Sequence, residues 1–269
     1  MSSSTQSQRA LVERLRQVLD EDERVESAWL SGSYGRGIGD VWSDIDIVAV
    51  VDEDDRPHCV GEYGGRRNPV GDTVLLGTLH GRIVTAVRPD LERYDIHFVT
   101  PQEFRAFDKS DLRPLNVENL DTPPAPPRSP KPYQPSADAL VAAASEFLRI
   151  LGLFPVCLGR EEWLVVQEGM FLQRKAVIEL MIEANGVGRA DRGGAKRLNP
   201  YLTPEQKAAL EAIPQTGAVR ADLIAANGAI VSLYLPLAKA TIAKAGGVWP
   251  QALESATRAR LESTLGLTF

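Results

Sequence analysis

The stretch GSYGRGIGDVWSDIDIVAVV, residues 32–51, decides the fold class of this chain. It begins with a glycine-rich turn and runs into residues 44–51, whose isoleucine and valine content predicts a buried strand. Side chains alternate along a strand, so Asp44 and Asp46 share one face while the isoleucines beside them point to the other. A core strand that presents two carboxylates on one face indicates a chemical site built on a sheet.

The two carboxylates predict a divalent metal site. The rise of a strand places their Cα atoms about 6.5–7 Å apart, and like charges this close repel each other unless a cation lies between them. A hard, oxygen-binding ion such as Mg²⁺ suits the pair and shares its coordination with phosphate oxygens. Two-metal phosphoryl chemistry holds its ions roughly 3.5–4 Å apart, which favours a third acid from a neighbouring strand.

Asp95, in the predicted strand RYDIHFV (93–99), is the candidate for that third acid. An acid in the middle of a core strand costs desolvation energy unless it is paired or bound to metal. Asp95 is therefore expected to be a metal ligand or the base that accepts the proton of an attacking hydroxyl. Asp90 and Glu92, in the turn before the strand, are weaker candidates. His97 shares the face of Asp95 and is expected to be a hydrogen-bonded structural residue.

The glycine-rich turn predicts a phosphate site. Gly32 and Ser33 end one strand and begin a helix, whose free N–H groups and positive dipole end suit phosphate oxygens. Gly32 lets the backbone approach the phosphates, and the Ser33 hydroxyl adds a hydrogen bond. Neither the glycine turn nor the DxD pair is specific alone, but their combination with a strand acid downstream indicates function.

This combination resembles the signature of the DNA polymerase beta-type nucleotidyltransferase superfamily, G-S…D-x-D. In particular it resembles the antibiotic nucleotidyltransferases of the aminoglycoside and lincosamide group, in which G-S-x-x-R-G-x-x-D-x-x-S-D-x-D is typical. The residues that match this pattern are Gly32, Ser33, Arg36, Gly37, Asp40, Ser43, Asp44 and Asp46.

The resemblance implies a mixed sheet with flanking helices, Mg²⁺ as cofactor, ATP or another nucleoside triphosphate as co-substrate, and release of pyrophosphate. It implies catalytic and metal-binding roles for three acids, and nucleotide contacts for four residues around the turn: Asp44, Asp46 and Asp95, and Gly32, Ser33, Arg36 and Ser43. No segment of the chain matches the family's acceptor contacts, so the resemblance leaves the acceptor open.

The remainder of residues 1–120 is predicted to complete a nucleotidyltransferase catalytic domain. Hydrophobic periodicity and turn residues predict its elements, which are a helix at 6–20, a strand at 25–31, an irregular loop at 52–71, a hairpin at 73–87 and a short helix from Pro101.

A proline-rich segment, DTPPAPPRSPKPYQP (121–135), marks the predicted domain boundary, since seven of the chain's 18 prolines lie in it. Proline supports neither a helix interior nor a central strand, so this segment is expected to be an extended spacer. Residues 136–269 are predicted to form an all-helical substrate-binding domain, which makes the whole chain α+β. Its helices are predicted at 136–151, 160–185, 204–213, 217–245 and 250–265.

The helix at 160–185 supplies further candidates. Apolar residues at helical spacing are expected in its core, namely Leu164, Phe171, Val177, Ile178 and Met181. Four charged residues of the helical half are candidates for a cleft beside the catalytic domain, although charged residues on helices and loops are solvated by default. They are Glu168, Arg174 and Lys175 on this helix and Lys196 in the basic loop 193–200.

Composition limits the partners. The net charge of −6 argues against a nucleic-acid binder. Cys59 and Cys157 lie far apart and outside any CxxC pattern, so reduced thiols are expected. The N-terminal segment has no apolar signal-peptide core, and no apolar stretch is expected to span a bilayer. We therefore expect a cytoplasmic protein without a nucleic-acid or membrane partner, and its oligomeric state stays open.

The sequence therefore predicts a nucleotidyltransferase that adenylylates a hydroxyl of a small molecule such as an aminoglycoside or a lincosamide. One alternative is a protein-adenylylating enzyme of the antitoxin type, and the fused helical domain counts against it because those enzymes are usually shorter. The other is a non-catalytic nucleotide-binding module, which the intact motif disfavours.

Overall fold

The computed structural model describes residues 4–123, 133–188 and 198–268. The chain divides into two compact units, Met1–Ser129 and Pro130–Phe269. The division falls within the predicted spacer, most of which (124–132) lies outside the described residues.

A six-stranded sheet forms the centre of the first unit. Its strands are β1 (Val25–Leu30), β2 (Ile45–Val51), β3 (Leu75–Leu79), β4 (Ile83–Val87), β5 (Arg93–Val99) and β6 (Arg113–Pro114). The strand order is β3-β4-β5-β2-β1-β6. The pair β2–β5 is parallel and the other neighbours are antiparallel. This mixed sheet confirms the predicted α+β class, and the predicted hairpin at 73–87 is the antiparallel pair β3–β4.

In the described part of this unit, four α-helices accompany the sheet: α1 (Gln6–Asp20), α2 (Gly32–Gly35), α3 (Arg56–Tyr63) and α4 (Pro101–Arg105). The prediction of an irregular loop over 52–71 was wrong, because α3 lies inside it. Charge, glycine and proline masked this helix in the sequence, but it buries Cys59, Val60 and Tyr63 in the core of the unit. Tertiary burial outweighs the weak local helix propensity here.

The two faces of the sheet have different roles. Ile45 and Ile47 of β2 are fully buried in the main core, which includes the apolar side of α1. Asp46 and Val48 point to the opposite face, where a smaller cluster forms around Val48 and Leu112. Slipping β2 by one residue would expose the isoleucines, each worth about 1.5–3 kcal/mol of burial, and turn Asp46 into the core. Hydrophobic patterning therefore defines the register that presents Asp46.

The described part of the second unit contains helices and no strands. They are α5 (Ala137–Gly159), α6 (Trp163–Ala184), α7 (Pro204–Glu211), α8 (Arg220–Lys244) and α9 (Gln251–Leu265). The helix predicted to end at residue 151 continues to Gly159 despite Pro155, because Phe154 and Leu158 are buried in the core of this unit. The predicted stops at Asn185 and Gly246 are confirmed.

The core predicted for α6 was partly wrong. Val177 and Met181 are buried and Ile178 is partly buried, whereas Leu164 and Phe171 are 72% and 64% exposed. The covered face contains Val166, Met170 and Gln173. At 100° per residue it lies about 140° around the helix from Leu164 and Phe171. Periodicity revealed an amphipathic helix, but the packing partners determined which apolar residues it buries.

Two of these helices revise the expectation about membrane spans. By length and composition, α5 and α8 are each long and apolar enough to cross a bilayer. Both contribute heavily to the core of the second unit, where the rings of Phe147 and Tyr234 stack with centroids 3.7 Å apart. Of these apolar stretches, 39% in α5 and 44% in α8 are buried inside the unit. Cys157 lies in α5, and both it and Cys59 are free thiols, as predicted.

Candidate active site

The parallel pairing of β2 and β5 brings two of the predicted acids together. Asp46 lies in register beside Asp95, and Asp95 lies beside Thr85 of β4. On the other side, the Ser31 N–H donates to the Asp46 carbonyl oxygen over 2.8 Å. Because neighbouring strands are about 4.8 Å apart, the two aspartates form adjacent members of one row on the sheet face.

Asp44 is held differently from its neighbour. It precedes the first residue of β2 and lies outside the β2–β5 register, which begins at Ile45. Alternation still places it on the side of Asp46. It directly follows the motif loop that ends at Ser43.

A cavity of about 390 Å³ opens over this row of residues in the first unit. Two predicted acids and two residues of the glycine-rich turn line it, together with a histidine and two acids from a later segment. These lining residues are Asp46, Asp95, Gly32, Arg36, His97, Asp108 and Asp111.

The turn at Gly32 lies directly against Asp46. Gly32 has φ +56°, and a Cβ at this position would come within 1.9 Å of the Asp46 Oδ2 atom. The helix that follows, α2, is a single turn, so its dipole contributes less than a longer helix would. The positive φ and the contact with a carboxylate both require glycine, and they bring the turn next to the predicted metal ligand.

Two donors of the turn have no partner among the described residues. The Ser33 hydroxyl and the Arg36 Nε are both buried without a hydrogen bond. An unsatisfied buried donor costs about 1–3 kcal/mol. Phosphate oxygens would satisfy both groups, so these residues fit the predicted triphosphate site.

Ser43 takes a role inside the loop. Its hydroxyl donates to the Asp40 carboxylate over 2.9 Å and accepts from the Asp40 N–H over 3.1 Å. The residue is buried and does not line the cavity. These bonds close a turn in the motif loop, and the nucleotide contact of Ser43 stays a prediction.

His97 lies two residues beyond Asp95 on the same face of β5 and also lines the cavity. Burial, reinforced by the positive charge of Arg82, lowers the pKa of its imidazole below the ordinary value. Its Nε2 has no hydrogen-bond partner among the described residues, and its ring meets the Phe107 ring edge-on at 6.0 Å. The expectation of a hydrogen-bonded structural histidine was therefore wrong for Nε2.

Sequence reasoning missed Asp108 and Asp111. They follow α4 in a segment that reads as an ordinary polar turn, and no pattern links it to the motif. The link is tertiary, because a Cβ on Gly35 would lie 2.2 Å from the Asp111 carbonyl oxygen. Close packing of α2 on this segment brings both acids to the cavity.

Comparison with known families agrees with this geometry. Residues 12–113, from α1 to the first residue of β6, match the family described as "Nucleotidyltransferase domain". Residues 12–113 are a nucleotidyltransferase domain. The chain is accordingly an enzyme of the nucleotidyltransferase type.

No curated protein matches the chain significantly. Among solved structures, an aminoglycoside 6-adenyltransferase from Bacillus subtilis is similar at 14% identity and a TM-score of 0.42. The alignment covers 95% of this chain and 98% of that chain.

Asp90 and Glu92 hold the start of α1 in the first unit. The Ser7 hydroxyl donates to Asp90 over 2.8 Å, and the Thr5 hydroxyl donates to Glu92 over 3.2 Å. Neither acid lines the cavity. Their weaker candidacy is consistent with this placement.

The charged candidates outside the nucleotidyltransferase domain occupy separate places on the second unit. Lys175 lines an apolar cavity of about 610 Å³ beside Phe147 and Tyr234. Arg174 lines another, of about 710 Å³. Glu168 is exposed on α6 and lines neither cavity. Lys196 lies outside the described residues.

Proposed function

We propose that this enzyme transfers AMP from ATP to a hydroxyl of a small molecule, with Mg²⁺ as its metal and pyrophosphate as the second product. The observation that carries the proposal is the pairing of Asp46 with Asp95, next to the Gly32 turn. Two carboxylates and the turn predicted to bind phosphate line one cavity.

The donor set suits a metal that arrives with a nucleotide. Within the described part of the chain, no three acidic, histidine or cysteine side chains form a cluster able to hold a metal ion. Mg²⁺ in nucleotide enzymes is usually held by one or two carboxylates, with phosphate oxygens and water completing its octahedron. Asp46 and Asp95, which line the cavity, and Asp44, which directly precedes β2 and does not line it, would supply the protein ligands. The bound ion would neutralise charge that develops on the phosphates.

The turn residues would orient the triphosphate. The Ser33 hydroxyl and the Arg36 Nε are hydrogen-bond donors without an acceptor among the described residues, and phosphate oxygens would accept from both. Holding the α-phosphate in line with the attacking hydroxyl supplies most of the catalysis expected in phosphoryl transfer. The acceptor oxygen forms a bond to the α-phosphorus as the bond to the bridging oxygen of pyrophosphate breaks.

Two roles are open to Asp95 in this reaction. As the base, it accepts the proton that the acceptor hydroxyl loses; as a ligand, it shares the metal with Asp46. His97 lines the same wall, and its lowered pKa makes it a neutral imidazole at pH 7. Its N–H group would donate a hydrogen bond to the acceptor molecule, and its other ring nitrogen would accept one, so that His97 helps to position that molecule.

We propose an amine-bearing small molecule, such as an aminoglycoside or a lincosamide, as the acceptor. Asp108 and Asp111 also line the cavity and are not assigned to the metal, so their negative charge favours a cationic acceptor. The net charge of −6 supports the same preference and disfavours nucleic acid. We further propose that the helical unit contributes acceptor contacts and that the enzyme acts in the cytoplasm without a membrane partner.

A labelling experiment tests this function. The purified chain is incubated with Mg²⁺ and each α-labelled nucleoside triphosphate, with a panel of aminoglycosides and lincosamides or with a cell lysate. Label from ATP on a small molecule, absent with Asp46→Asn, supports the proposal. Label on a protein would instead indicate the antitoxin-type activity. Nucleotide binding without transfer to any acceptor would indicate a non-catalytic module.

A further inference from the structure

Gln8 of α1 is a fully buried polar residue that the proposed chemistry does not yet use. Its exposed fraction is 0%, although glutamine side chains are mostly exposed in proteins. Part of its role is local, because its Oε1 accepts from the Thr5 N–H over 2.7 Å and completes the capping box of α1. Capping alone requires no burial, since a capping box forms equally well on a helix at the surface.

The remaining hydrogen bonds of the Gln8 amide reach the motif loop. Its Nε2 donates to the Ser43 carbonyl oxygen over 2.7 Å and, more weakly, to the Asp40 carbonyl oxygen over 3.4 Å. Its Oε1 also accepts from the Tyr34 hydroxyl over 3.0 Å. The single hydroxyl proton of Tyr34 is shared between Gln8 Oε1 and the Asp40 carbonyl oxygen, so the bond to Ser43 is the strongest link from the amide to the motif.

Tyr34 completes the connection. Its hydroxyl lies 2.8 Å from the Asp40 carbonyl oxygen, and its ring is 1% exposed. Gly39 packs directly on the ring, since a Cβ there would lie 2.3 Å from a ring carbon. The loop from residue 36 to residue 43 is therefore held against α1 through one amide and one hydroxyl.

This loop ends immediately before Asp44. Strand pairing positions Asp46, but the β2–β5 register begins only at Ile45. The carbonyl group of Ser43 belongs to the peptide unit that leads into Asp44, and Gln8 holds that carbonyl oxygen at 2.7 Å. Gln8 thus holds the peptide unit beside Asp44, the predicted metal ligand that lies outside the β2–β5 register.

We propose that Gln8, assisted by Tyr34, is a positioning residue that sets the place of Asp44 for metal binding. The inference rests on the proposed function. Groups that orient metal ligands typically change metal affinity or activity by about 10- to 100-fold when removed. Gln8→Met keeps the length of the side chain and removes its hydrogen bonds, and Tyr34→Phe removes only the hydroxyl.

The experiment measures Mn²⁺ binding by electron paramagnetic resonance in the presence of α,β-methylene-ATP, and the Mg²⁺ dependence of turnover with the acceptor found above. Both variants are expected to bind Mn²⁺ about 10- to 100-fold more weakly. Turnover should recover at high Mg²⁺ concentration, which a role in folding alone would not produce. Gln17→Met is the matched control, because Gln17 lies exposed on the same helix and its side chain hydrogen-bonds to Arg14 and Glu21 rather than to the motif loop.

The outcomes separate the two proposals. If the unaltered chain fails to bind Mn²⁺ with nucleotide, the proposed function falls and this inference falls with it. If the unaltered chain binds and the folded variants bind within twofold of it, the inference alone is overturned. Should Gln8→Met not fold, Tyr34→Phe decides the question by the same measure.

Discussion

Replacing Gly32 with alanine tests the geometry at the centre of the site. The new Cβ would lie 1.9 Å from Asp46 Oδ2, whereas ordinary contact begins near 3.4 Å, so the carboxylate must move by 3.4 − 1.9 = 1.5 Å. A displacement of about 1 Å in a catalytic group costs roughly 100-fold in rate. The φ of +56° adds about 1–2 kcal/mol of backbone strain. We therefore expect at least a 100-fold loss of turnover and a modest loss of stability.

Gly81→Ala is the matched control for that substitution. Gly81 has φ +65°, and a Cβ at this position meets nothing within 4 Å. It should suffer similar backbone strain without moving the site. The assay is turnover of labelled ATP, with thermal melting followed by circular dichroism. Full activity in Gly32→Ala, or an equal loss of activity in Gly81→Ala, would refute the reasoning.

Three further predictions concern single side chains. Asp46→Asn should abolish transfer but leave the melting temperature unchanged or higher, because it removes repulsion from Asp95; transfer assays and melting curves check this, and persistent turnover would contradict it. Ser33→Ala should raise KM for ATP about 10-fold, the equivalent of one hydrogen bond to a charged group, and an unchanged KM in steady-state kinetics would argue against the contact. Glu254→Gln should weaken the helical unit by about 1–2 kcal/mol in urea unfolding, since Glu254 accepts hydrogen bonds from Lys239, Arg258 and Trp249. Burial acts to raise the pKa of Glu254, but these donors outweigh it and lower the pKa below the usual value. Its stabilisation is therefore present above about pH 4.3, the unfolded pKa, and is lost as pH falls through the lowered folded pKa. If Glu254→Gln unfolds in acid with the same pH profile as the unaltered chain, this role is excluded.

The local features of the nucleotidyltransferase domain could be predicted from the sequence. Alternation along residues 44–51 revealed a strand with Asp46 on one face and isoleucines on the other, and the structure has that arrangement. The requirement for glycine at position 32 was also evident, because a tight turn beside a phosphate site needs its freedom. Such features depend on neighbours within a few residues, so short-range sequence patterns are enough to predict them.

The helical half shows where local information ended. Periodicity predicted α6 correctly, but Leu164 and Phe171 proved exposed because the other helices cover a different face. In the first unit, the helix α3 was missed because its local helix signal is weak, while the burial of Cys59 and Tyr63 stabilises it.

Tertiary structure alone decided how the site is assembled. The register of Asp46 with Asp95 exists because β2 and β5, over 40 residues apart in sequence, pair in parallel. Packing of α2 brings Asp111 to the same cavity, and the amide of Gln8 reaches across 35 residues to Ser43. The residue types along a chain determine which groups are able to bind metal or phosphate. Whether those groups come together in one site depends on long-range strand pairing and packing, which produce no periodic pattern in the sequence.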